Sequence, residues 1–325
     1  MSKAIRLASL AMVVAAAAAA VYAFSPRPLP PFAATAIRAD RLQINGLVQV
    51  GKRLVAVGEA GHILLSDDDG AHWRDAVVQP QTGSTLNQLL FIDAQHGVAV
   101  GHDGWIVKTD DGGANWHQVR FDEQRSEPLL GVASAGGTGG ASAATLYAVG
   151  SFGKFLVSHD AGAHWEPSPL PAVGEAHLNA LTAGPKGRLM LTGENGTLLR
   201  SSNGGAQWET LALPYKGSLF GALALSADIW LVYGMRGNVF RTEDFGATWE
   251  RIDTGLQTSF FGGIKFDSGR IALVGQGGAV LLSDDHGKHF RIHSIGGMAS
   301  LTSIIQIAPA RALVSGEAGI EPKAL

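Results

Sequence analysis

Acidic side chains recur at one position of a repeated Gly-x-x-Gly motif, and their type and spacing could support chemistry. Glu59, Glu194 and Glu317 each follow the first glycine of a copy. Two carboxylates at a suitable separation can act as acid and base, or as acid and nucleophile, on a glycosidic bond. The central positions of the other copies carry unlike groups: His102 with Asp103, Ser151 with Phe152, Met235 with Arg236, and Gln276, while Asn195 follows Glu194. This set indicates either solvated turns or a mixed, partly acidic recognition surface.

One alternative function is therefore a sialidase-like glycoside hydrolase. Such an enzyme uses an arginine triad to hold the substrate carboxylate and a tyrosine nucleophile paired with a glutamate. Tyr147 and Tyr233 fall in predicted buried strands and Tyr22 lies in an apolar N-terminal run, which leaves Tyr215. The Arg-Ile-Pro stretch typical of sialidases is not found in the sequence. We therefore expect no catalytic residue, no metal and no cofactor, and keep the hydrolase as the alternative.

A second motif, Ser/Thr-x-Asp-x-Gly-x-x-Trp, follows each of the first six Gly-x-x-Gly copies. Its Asp and Trp positions are Asp68 and Trp73, Asp111 and Trp116, Asp160 and Trp165, Asn203 and Trp208, Asp244 and Trp249, and Asp285 and Phe290. The Asp and Ser/Thr side chains can accept backbone N–H groups, glycine can take a positive φ, and the Trp ring can seal the hairpin. We interpret all six as structural turns. The run Asp67–Asp69 lacks the closing Glu of a calcium loop.

Both motifs recur about every 41–49 residues between short apolar runs. A period of about 40–50 residues built from short strands is typical of a β-propeller with one four-stranded blade per repeat. Six complete units and a seventh of three strands predict an all-β, seven-bladed β-propeller over residues 32–325. Because an open blade would expose an unpaired edge, we predict that residues 32–39 supply its fourth strand and close the ring.

In such a ring the Gly-x-x-Gly turns and the connectors between blades share one face, and the Asp-containing turns share the other. The predicted partner-binding residues on the first face are Glu59, His102, Asp103, Phe152, Glu194, Asn195, Arg236, Gln276 and Glu317. The connectors add Arg125, His177, Tyr215, Lys216, Phe220, Phe260 and Phe261. Exposed aromatic side chains there would be interface anchors, whereas buried ones would belong to the core.

The N-terminal 24 residues indicate export. Lys3 and Arg6 precede an apolar run, and a Pro-rich linker follows at 25–31. This segment is either a signal peptide cleaved after Ala23 or an anchor just long enough to span a bilayer. Both alternatives place the propeller in the periplasm or an equivalent lumen.

Composition narrows the classes of partner. The 325 residues carry a net charge of −3 without a basic stripe, so we expect no nucleic acid partner. The chain contains no cysteine, which excludes thiol catalysis and a disulfide framework.

The repeated unit resembles the photosystem II stability and assembly factor family, whose propellers carry bacterial neuraminidase (BNR, or Asp-box) repeats. The resemblance rests on Val-Gly-x-x-Gly followed by Ser/Thr-x-Asp-x-Gly-x-x-Trp and covers about residues 40–325. It implies a lumenal, non-enzymatic chaperone of a reaction-centre subunit in photosynthetic organisms. In other bacteria it implies a propeller encoded beside a resistance-nodulation-division exporter. Photosynthetic members use an Arg-rich patch on the propeller. In this chain only Arg236 and Arg125 lie on the predicted face.

These observations lead to one expected function. The chain is predicted to be an exported, monomeric, non-enzymatic propeller that binds a membrane protein or complex, either a photosystem subunit or an exporter. It would act as an assembly factor or an accessory subunit.

Overall fold

The computed structural model describes residues 3–25, 38–122, 124–136, 144–171 and 173–325. The chain divides into two compact units, Met1–Ala36 and Ile37–Leu325. The first contains helix α1 (Lys3–Phe24), which is built mainly from alanine and other apolar residues. Within the residues that the structure describes, no helix is long and apolar enough to cross a membrane. Export through the N-terminal 24 residues stays a prediction.

The second unit is a seven-bladed β-propeller, which confirms the fold predicted from the repeat. Blade 1 contains β1 (Ile44–Val50), β2 (Arg53–Gly58), β3 (Ile63–Ser66) and β4 (Arg74–Asp75), and β5 (Val77–Gln79) follows it. Blade 2 contains β6 (Leu86–Phe91), β7 (Gly97–Gly101), β8 (Ile106–Thr109) and β9 (Asn115–Arg120). Blade 3 contains β10 (Leu129–Ser134), β11 (Leu146–Gly150), β12 (Phe155–Ser158) and β13 (Glu166–Pro167). Blade 4 contains β14 (Leu178–Ala183), β15 (Leu189–Gly193), β16 (Leu198–Ser201) and β17 (Glu209–Thr210).

The remaining three blades complete the ring. Blade 5 contains β18 (Leu219–Ala224), β19 (Trp230–Gly234), β20 (Val239–Thr242) and β21 (Glu250–Ile252). Blade 6 contains β22 (Phe260–Lys265), β23 (Ile271–Gly275), β24 (Val280–Ser283) and β25 (Arg291–Ser294). Blade 7 contains β26 (Leu301–Ala308), β27 (Arg311–Gly316) and β28 (Gly319–Ala324). Consecutive strands within each blade pair antiparallel, and the first strand of each blade is innermost.

The hydrophobic core lies between neighbouring blades. The second strand of a blade is buried on both faces, as an apolar run such as Leu54–Val57 requires. Val55 and Leu65 of blade 1, for example, pack with Leu89, Trp105 and Trp116 of blade 2. Each blade therefore contributes half of two cores, and its stability depends on both neighbours.

Blade 2 has a fifth strand that the repeat did not predict. After blade 1 ends, β5 crosses to the outer edge of blade 2 and pairs parallel with β9, with Val77 opposite Asn115 and Gln79 opposite His117. Pairing covers the backbone edge that β9 would otherwise expose. The repeat unit therefore does not reveal that the chain between blades 1 and 2 forms a strand of blade 2.

Blades 7 and 1, which close the ring, are joined by a side-chain hydrogen bond. The hydroxyl of Thr302 donates to the carbonyl of Ile44 at 2.8 Å. The backbone N–H of Ile320 donates to the carbonyl of Ala39 at 3.0 Å. The predicted closing strand 32–39 lies outside the described residues except for Arg38 and Ala39, and Ala39 lies in a turn.

Side chains also join neighbouring blades at the face that carries the Asp-containing turns. In four blades a side chain donates to the backbone carbonyl that follows the Asp or Asn of the next blade's turn. These bonds run from Arg53 to Gly112 at 3.1 Å, from Tyr147 to Gly204 at 3.1 Å, from Arg200 to Phe245 at 2.8 Å and from Arg241 to His286 at 2.9 Å. Each bond holds the turn of one blade against the body of the preceding blade.

Candidate functional site

The turn between the second and third strands shares one backbone hydrogen bond in all seven blades. The residue after the first glycine donates its N–H to the carbonyl of the residue that precedes the innermost strand, at 2.8–3.1 Å. These donor residues are Glu59, His102, Ser151, Glu194, Met235, Gln276 and Glu317. The strand registers place all seven turns at one end of the ring, which we call the mouth face. The opposite end is the Asp-turn face.

The second central residue of six of these turns is in the left-handed region. These residues are Ala60, Asp103, Phe152, Asn195, Arg236 and Gly277, with φ from 52° to 67°. Glycine, asparagine and aspartate tolerate this conformation, whereas a bulky side chain rarely adopts it. Phe152 and Arg236 nevertheless occupy it, and both side chains are exposed. Backbone strain of this kind clusters at functional sites, where the fold holds it in place.

Phe152 is the exposed aromatic residue of the mouth face. Its side chain is 57% exposed. Its ring meets the ring of His177 from the next connector edge-to-face, with centroids 5.0 Å apart. An aromatic ring that is braced on one side and open on the other can anchor a partner.

Arg236 lies two blades away from Phe152, on blade 5. Burial raises the pKa of the nearby Tyr215, and the positive charge of Arg236 opposes part of this rise. The Tyr215 hydroxyl donates to the carbonyl of Met235 at 3.2 Å. Between Phe152 and Arg236 lies the exposed Asn195 of blade 4. The mouth face thus presents an aromatic, an amide and a cationic group on successive blades.

The three glutamates of the mouth face share one geometry that the sequence did not reveal. The carboxylate of Glu59 accepts the N–H of Gln43 at 3.0 Å, that of Glu194 the N–H of His177 at 3.3 Å, and that of Glu317 the N–H of Ser300 at 2.8 Å. Each carboxylate therefore caps the start of its own innermost strand. In blade 3 the corresponding residue is Pro128, which has no N–H to cap, and Ser151 replaces the glutamate.

The other predicted residues of the mouth face differ in how firmly they are held. The hydroxyl of Ser84 donates to the Asp103 carboxylate at 2.6 Å. His102 and Gln276 are exposed, as are Arg125 and Lys216 of the connectors. Phe260 is fully buried. Asp103 is thereby held by a hydrogen bond, whereas the exposed side chains are open to solvent.

The innermost strands carry a further ring of residues that the sequence analysis missed. All seven strands have a register irregularity at their second residue. These residues are Asn45, Asn87, Leu130, Asn179, Phe220, Phe261 and Thr302, and all line the central channel. A β-bulge redirects a side chain. In the sequence, each of these residues directly follows the first apolar residue of its innermost strand. This shared position is the signal that could have identified the ring.

Four members of this ring bridge neighbouring blades. Asn45, Asn87 and Asn179 donate to the carbonyls of Leu86, Leu129 and Leu219 at 2.8–3.0 Å, and Thr302 makes the bond to Ile44 described above. Leu130, Phe220 and Phe261 are apolar at the same position. The central channel is therefore lined partly by polar side chains that join neighbouring blades and partly by apolar side chains.

On the opposite face the six Asp-containing turns share a hydrogen-bond pattern. In the first, Ser66 Oγ accepts the N–H of Gly70 at 2.9 Å and donates to Asp68 at 2.8 Å, and Asp68 accepts the N–H of His72 at 2.9 Å. The indole N–H of Trp73 donates to the carbonyl of Gly70 at 3.0 Å. The indole nitrogens of Trp208 and Trp249 have no such partner within the described residues.

These bonds stabilise the ionised carboxylates of the turns. The backbone N–H of His72 and its imidazole lower the pKa of Asp68 to about 2. The backbone N–H of His164 lowers the pKa of Asp160 to about 2, and the Thr248 hydroxyl does the same for Asp244. The three turns therefore prefer the charged form of the carboxylate in the folded state.

We expect the propeller to lose stability in acid because of these carboxylates. Their pKa in the folded state lies below the value of about 3.9 in the unfolded chain, so the stabilisation is present above about pH 4 and is lost as the pH falls towards 2. Thermal unfolding measured from pH 6 to pH 2 should show this loss. The substitution Asp160→Asn, which copies Asn203 of blade 4, should flatten the profile below pH 4. An unchanged profile would contradict this origin.

The three tyrosines of the propeller are buried or hydrogen-bonded to the backbone. The Tyr215 hydroxyl donates to a backbone carbonyl, and Tyr147 and Tyr233 are buried. Among the described residues, no group of three or more His, Asp or Glu side chains is placed to hold a metal ion. No observation on the mouth face favours the hydrolase alternative.

Comparison with known structures shows which fold this chain shares. It is a seven-bladed propeller similar to a structure of YCF48 bound to a D1 peptide, with a TM-score of 0.71 and 16% identity over 92% of this chain and 98% of that one. It is also similar to YCF48 from Cyanidioschyzon merolae, with a TM-score of 0.68 and 16% identity over 91% and 97% of the two chains.

A third similar structure is the WD40 β-propeller domain of Doa1, with a TM-score of 0.66 and 10% identity over 86% of this chain and 91% of that one. No family model matches the chain. No match was found among curated protein sequences. At these identities the likeness shows a shared fold.

Proposed function

We propose that this chain is a non-enzymatic propeller that binds a polypeptide segment of a membrane protein on its mouth face. The observation that carries the proposal is the exposure of Phe152 and Arg236 on the mouth face, on blades 3 and 5, with the exposed Asn195 of blade 4 between them.

The chemistry of the mouth face suits a peptide. Phe152 offers an apolar anchor, Arg236 a cation for a carboxylate or a backbone carbonyl, and Asn195 an amide that can donate and accept. Hot spots of protein interfaces favour aromatic residues and arginine. The solved structure of a similar propeller, YCF48, contains a bound D1 peptide, which supports a peptide ligand for this fold.

We further propose an exported, monomeric protein with bacterial neuraminidase-type repeats that serves a membrane complex as an assembly factor or accessory subunit. The N-terminal apolar segment and the Ser/Thr-x-Asp-x-Gly-x-x-Trp turns support this part of the proposal. In a photosynthetic host the partner would be a photosystem subunit. In another bacterium it would be an exporter of the resistance-nodulation-division class.

Recovery of a membrane partner with mouth-face variants tests the function. Cells producing the tagged full chain are fractionated first, because the proposal requires the protein outside the cytoplasm. The envelope fraction is then crosslinked, and the captured membrane protein is quantified. Phe152→Gly and Arg236→Glu should each reduce its recovery about ten-fold or more. Phe152→Gly should leave stability within about 1 kcal/mol of wild type, because relief of strain offsets the lost contact.

The chain offers a matched control on the opposite face. Lys186 is an exposed basic residue with a φ of 61°, in the turn Pro185–Gly187 between the first and second strands of blade 4. Lys186→Glu makes the same charge change as Arg236→Glu in a similar backbone. Equal recovery with Lys186→Glu, Arg236→Glu and Phe152→Gly would refute a mouth-face binding role.

A further inference from the structure

The seven innermost strands enclose a central channel with a volume of about 540 Å³. None of the described residues that line it is charged. Pockets for small organic groups typically have volumes of about 300–1,000 Å³ and apolar walls with a few polar groups. The channel has the size and chemistry of such a pocket, and its wall is not uniform around the ring.

The junction between blades 5 and 6 departs from the repeat. At the last position before the first glycine of the mouth-face turn, the other six blades carry a small side chain: Val57, Val100, Val149, Thr192, Val274 and Ser315. Blade 5 carries Tyr233 there. Gly221 pairs with Tyr233 across the blade, and a methyl group on Gly221 would lie 2.6 Å from the Tyr233 hydroxyl. The missing side chain at Gly221 therefore leaves the room that this hydroxyl occupies.

The hydroxyl of Tyr233 lies at the channel wall and has no hydrogen-bond partner among the described residues. The side chain is 5% exposed and lines the channel. No hydrogen bond joins its hydroxyl to any described residue, and burial alone raises its pKa, so the group stays protonated. A tyrosine hydroxyl beside apolar groups normally finds a hydrogen-bond partner. The ring of Tyr233 fills the space beside Gly263, and its hydroxyl faces the channel, where a bound group can supply that partner.

Two further aromatic rings complete this side of the channel. Phe220 and Phe261 occupy the bulged positions of blades 5 and 6, and both line the channel. Their ring centroids are 5.2 Å apart at an angle of 52°. Gly221, Gly262 and Gly263 line the same part of the channel and contribute no side chains. A flat apolar group can therefore lie against the two rings on the wall that Tyr233 also lines.

We propose that this wall of the channel binds an uncharged aromatic group that exchanges a hydrogen bond with the hydroxyl of Tyr233. Phe220 and Phe261 supply the apolar contact, and the hydroxyl supplies the polar one, since it can donate or accept. An ionised ligand would lose its hydration in a channel without countercharge and is excluded by that cost. The site would bind a free small aromatic molecule or an aromatic side chain of a docked polypeptide, and it does not depend on the partner proposed above.

Binding of p-cresol to the full-length protein tests the site, with affinity measured by NMR titration. Wild-type protein should bind p-cresol saturably. It should bind p-toluate, which has the same shape but a carboxylate, at least about ten-fold more weakly. Tyr233→Phe should lower the affinity for p-cresol about five-fold, which is the effect of one lost hydrogen bond. It should leave the unfolding temperature unchanged, because the hydroxyl has no partner in the protein.

Two variants separate binding from folding. Tyr147→Phe removes a hydroxyl that donates to Gly204, so it should lower stability and leave p-cresol affinity unchanged. Phe261→Leu keeps an apolar residue but removes one ring, so it should lower the affinity for p-cresol. Equal p-cresol affinity in wild type, Tyr233→Phe and Phe261→Leu, or no saturable binding by wild type, would overturn the proposal.

A peptide arm distinguishes the two sources of the aromatic group. The probe is acetyl-Gly-Gly-Tyr-Gly-Gly-amide, with the same peptide containing serine as control. Tighter binding of the tyrosine peptide than of p-cresol, lost in Tyr233→Phe, would assign the site to a polypeptide partner. Binding of p-cresol alone, again sensitive to Tyr233→Phe, would assign it to a free small molecule.

Discussion

Gly275→Ala should lower the free energy of unfolding of the propeller by about 3 kcal/mol or more, although it adds one methyl group. The backbone of Gly275 is extended, with φ near −171°, so left-handed strain is not the reason. A Cβ at this position would overlap the carbonyl oxygen of Ser259. That carbonyl accepts the N–H of Gln276 at 2.9 Å and ties the mouth-face turn to the innermost strand. Relief of the overlap would require moving both strands of blade 6.

The measurement is chemical denaturation of the variant beside Gly136→Ala. Gly136 is not in the left-handed region, and no atom of a described residue lies within 4 Å of the position of a Cβ there. The same substitution should therefore change stability there by less than about 0.5 kcal/mol. Similar midpoints for the two variants would show that blade 6 can shift to accommodate the methyl group.

The first glycine of every mouth-face turn is subject to the same overlap. A Cβ on Gly58, Gly101, Gly150, Gly193, Gly234 or Gly316 would also meet the carbonyl of the residue that precedes its innermost strand. Close approach of two backbones thus explains why this position is glycine in all seven blades.

Trp116→Ala should lower the free energy of unfolding by about 3–5 kcal/mol. The indole ring is 2% exposed and packs edge-on against Phe91, with centroids 5.9 Å apart. Its N–H donates to the carbonyl of Gly113 at 2.8 Å. Removal of the ring leaves a cavity between blades 1 and 2 and an unpaired carbonyl.

Trp249→Ala provides the comparison within the same motif. Trp249 is only half-buried, and its indole nitrogen has no hydrogen-bond partner among the described residues. Its loss should cost less than that of Trp116, by about 1–2 kcal/mol. Thermal and chemical unfolding of both variants decide this order. The folded fraction of Trp116→Ala should still bind the membrane partner. Loss of partner binding without loss of stability would indicate that Trp116 contacts the partner directly.

Much of the architecture followed from the sequence because propeller blades are built from local contacts. Residues 40–50 positions apart repeat the same motif, and strands that follow one another in the chain pair with one another. The alternation between glycine-containing turns and apolar runs therefore predicted seven blades and two faces. Trp116 and Gly275 were recognisable as framework positions because their counterparts recur in the other blades.

The fifth strand of blade 2 and the capping glutamates were not predictable in the same way. β5 carries no motif, and its pairing with β9 depends on where the chain leaves blade 1. Glu59, Glu194 and Glu317 look like a catalytic or recognition set in one dimension. Their carboxylates accept backbone N–H groups of residues 16 or 17 positions earlier, a partnership that only the folded turn creates.

By itself, the sequence determined the β-propeller class, the number of blades and the face on which each turn lies, because each depends on a repeat of about 40 residues. Only the tertiary structure decided which side chains meet across blades. The pairing of Phe220 with Phe261, the bond from Thr302 to Ile44 and the room left for Tyr233 by Gly221 and Gly263 join different strands. Such contacts depend on the close approach of neighbouring strands around a closed ring, which no local pattern encodes.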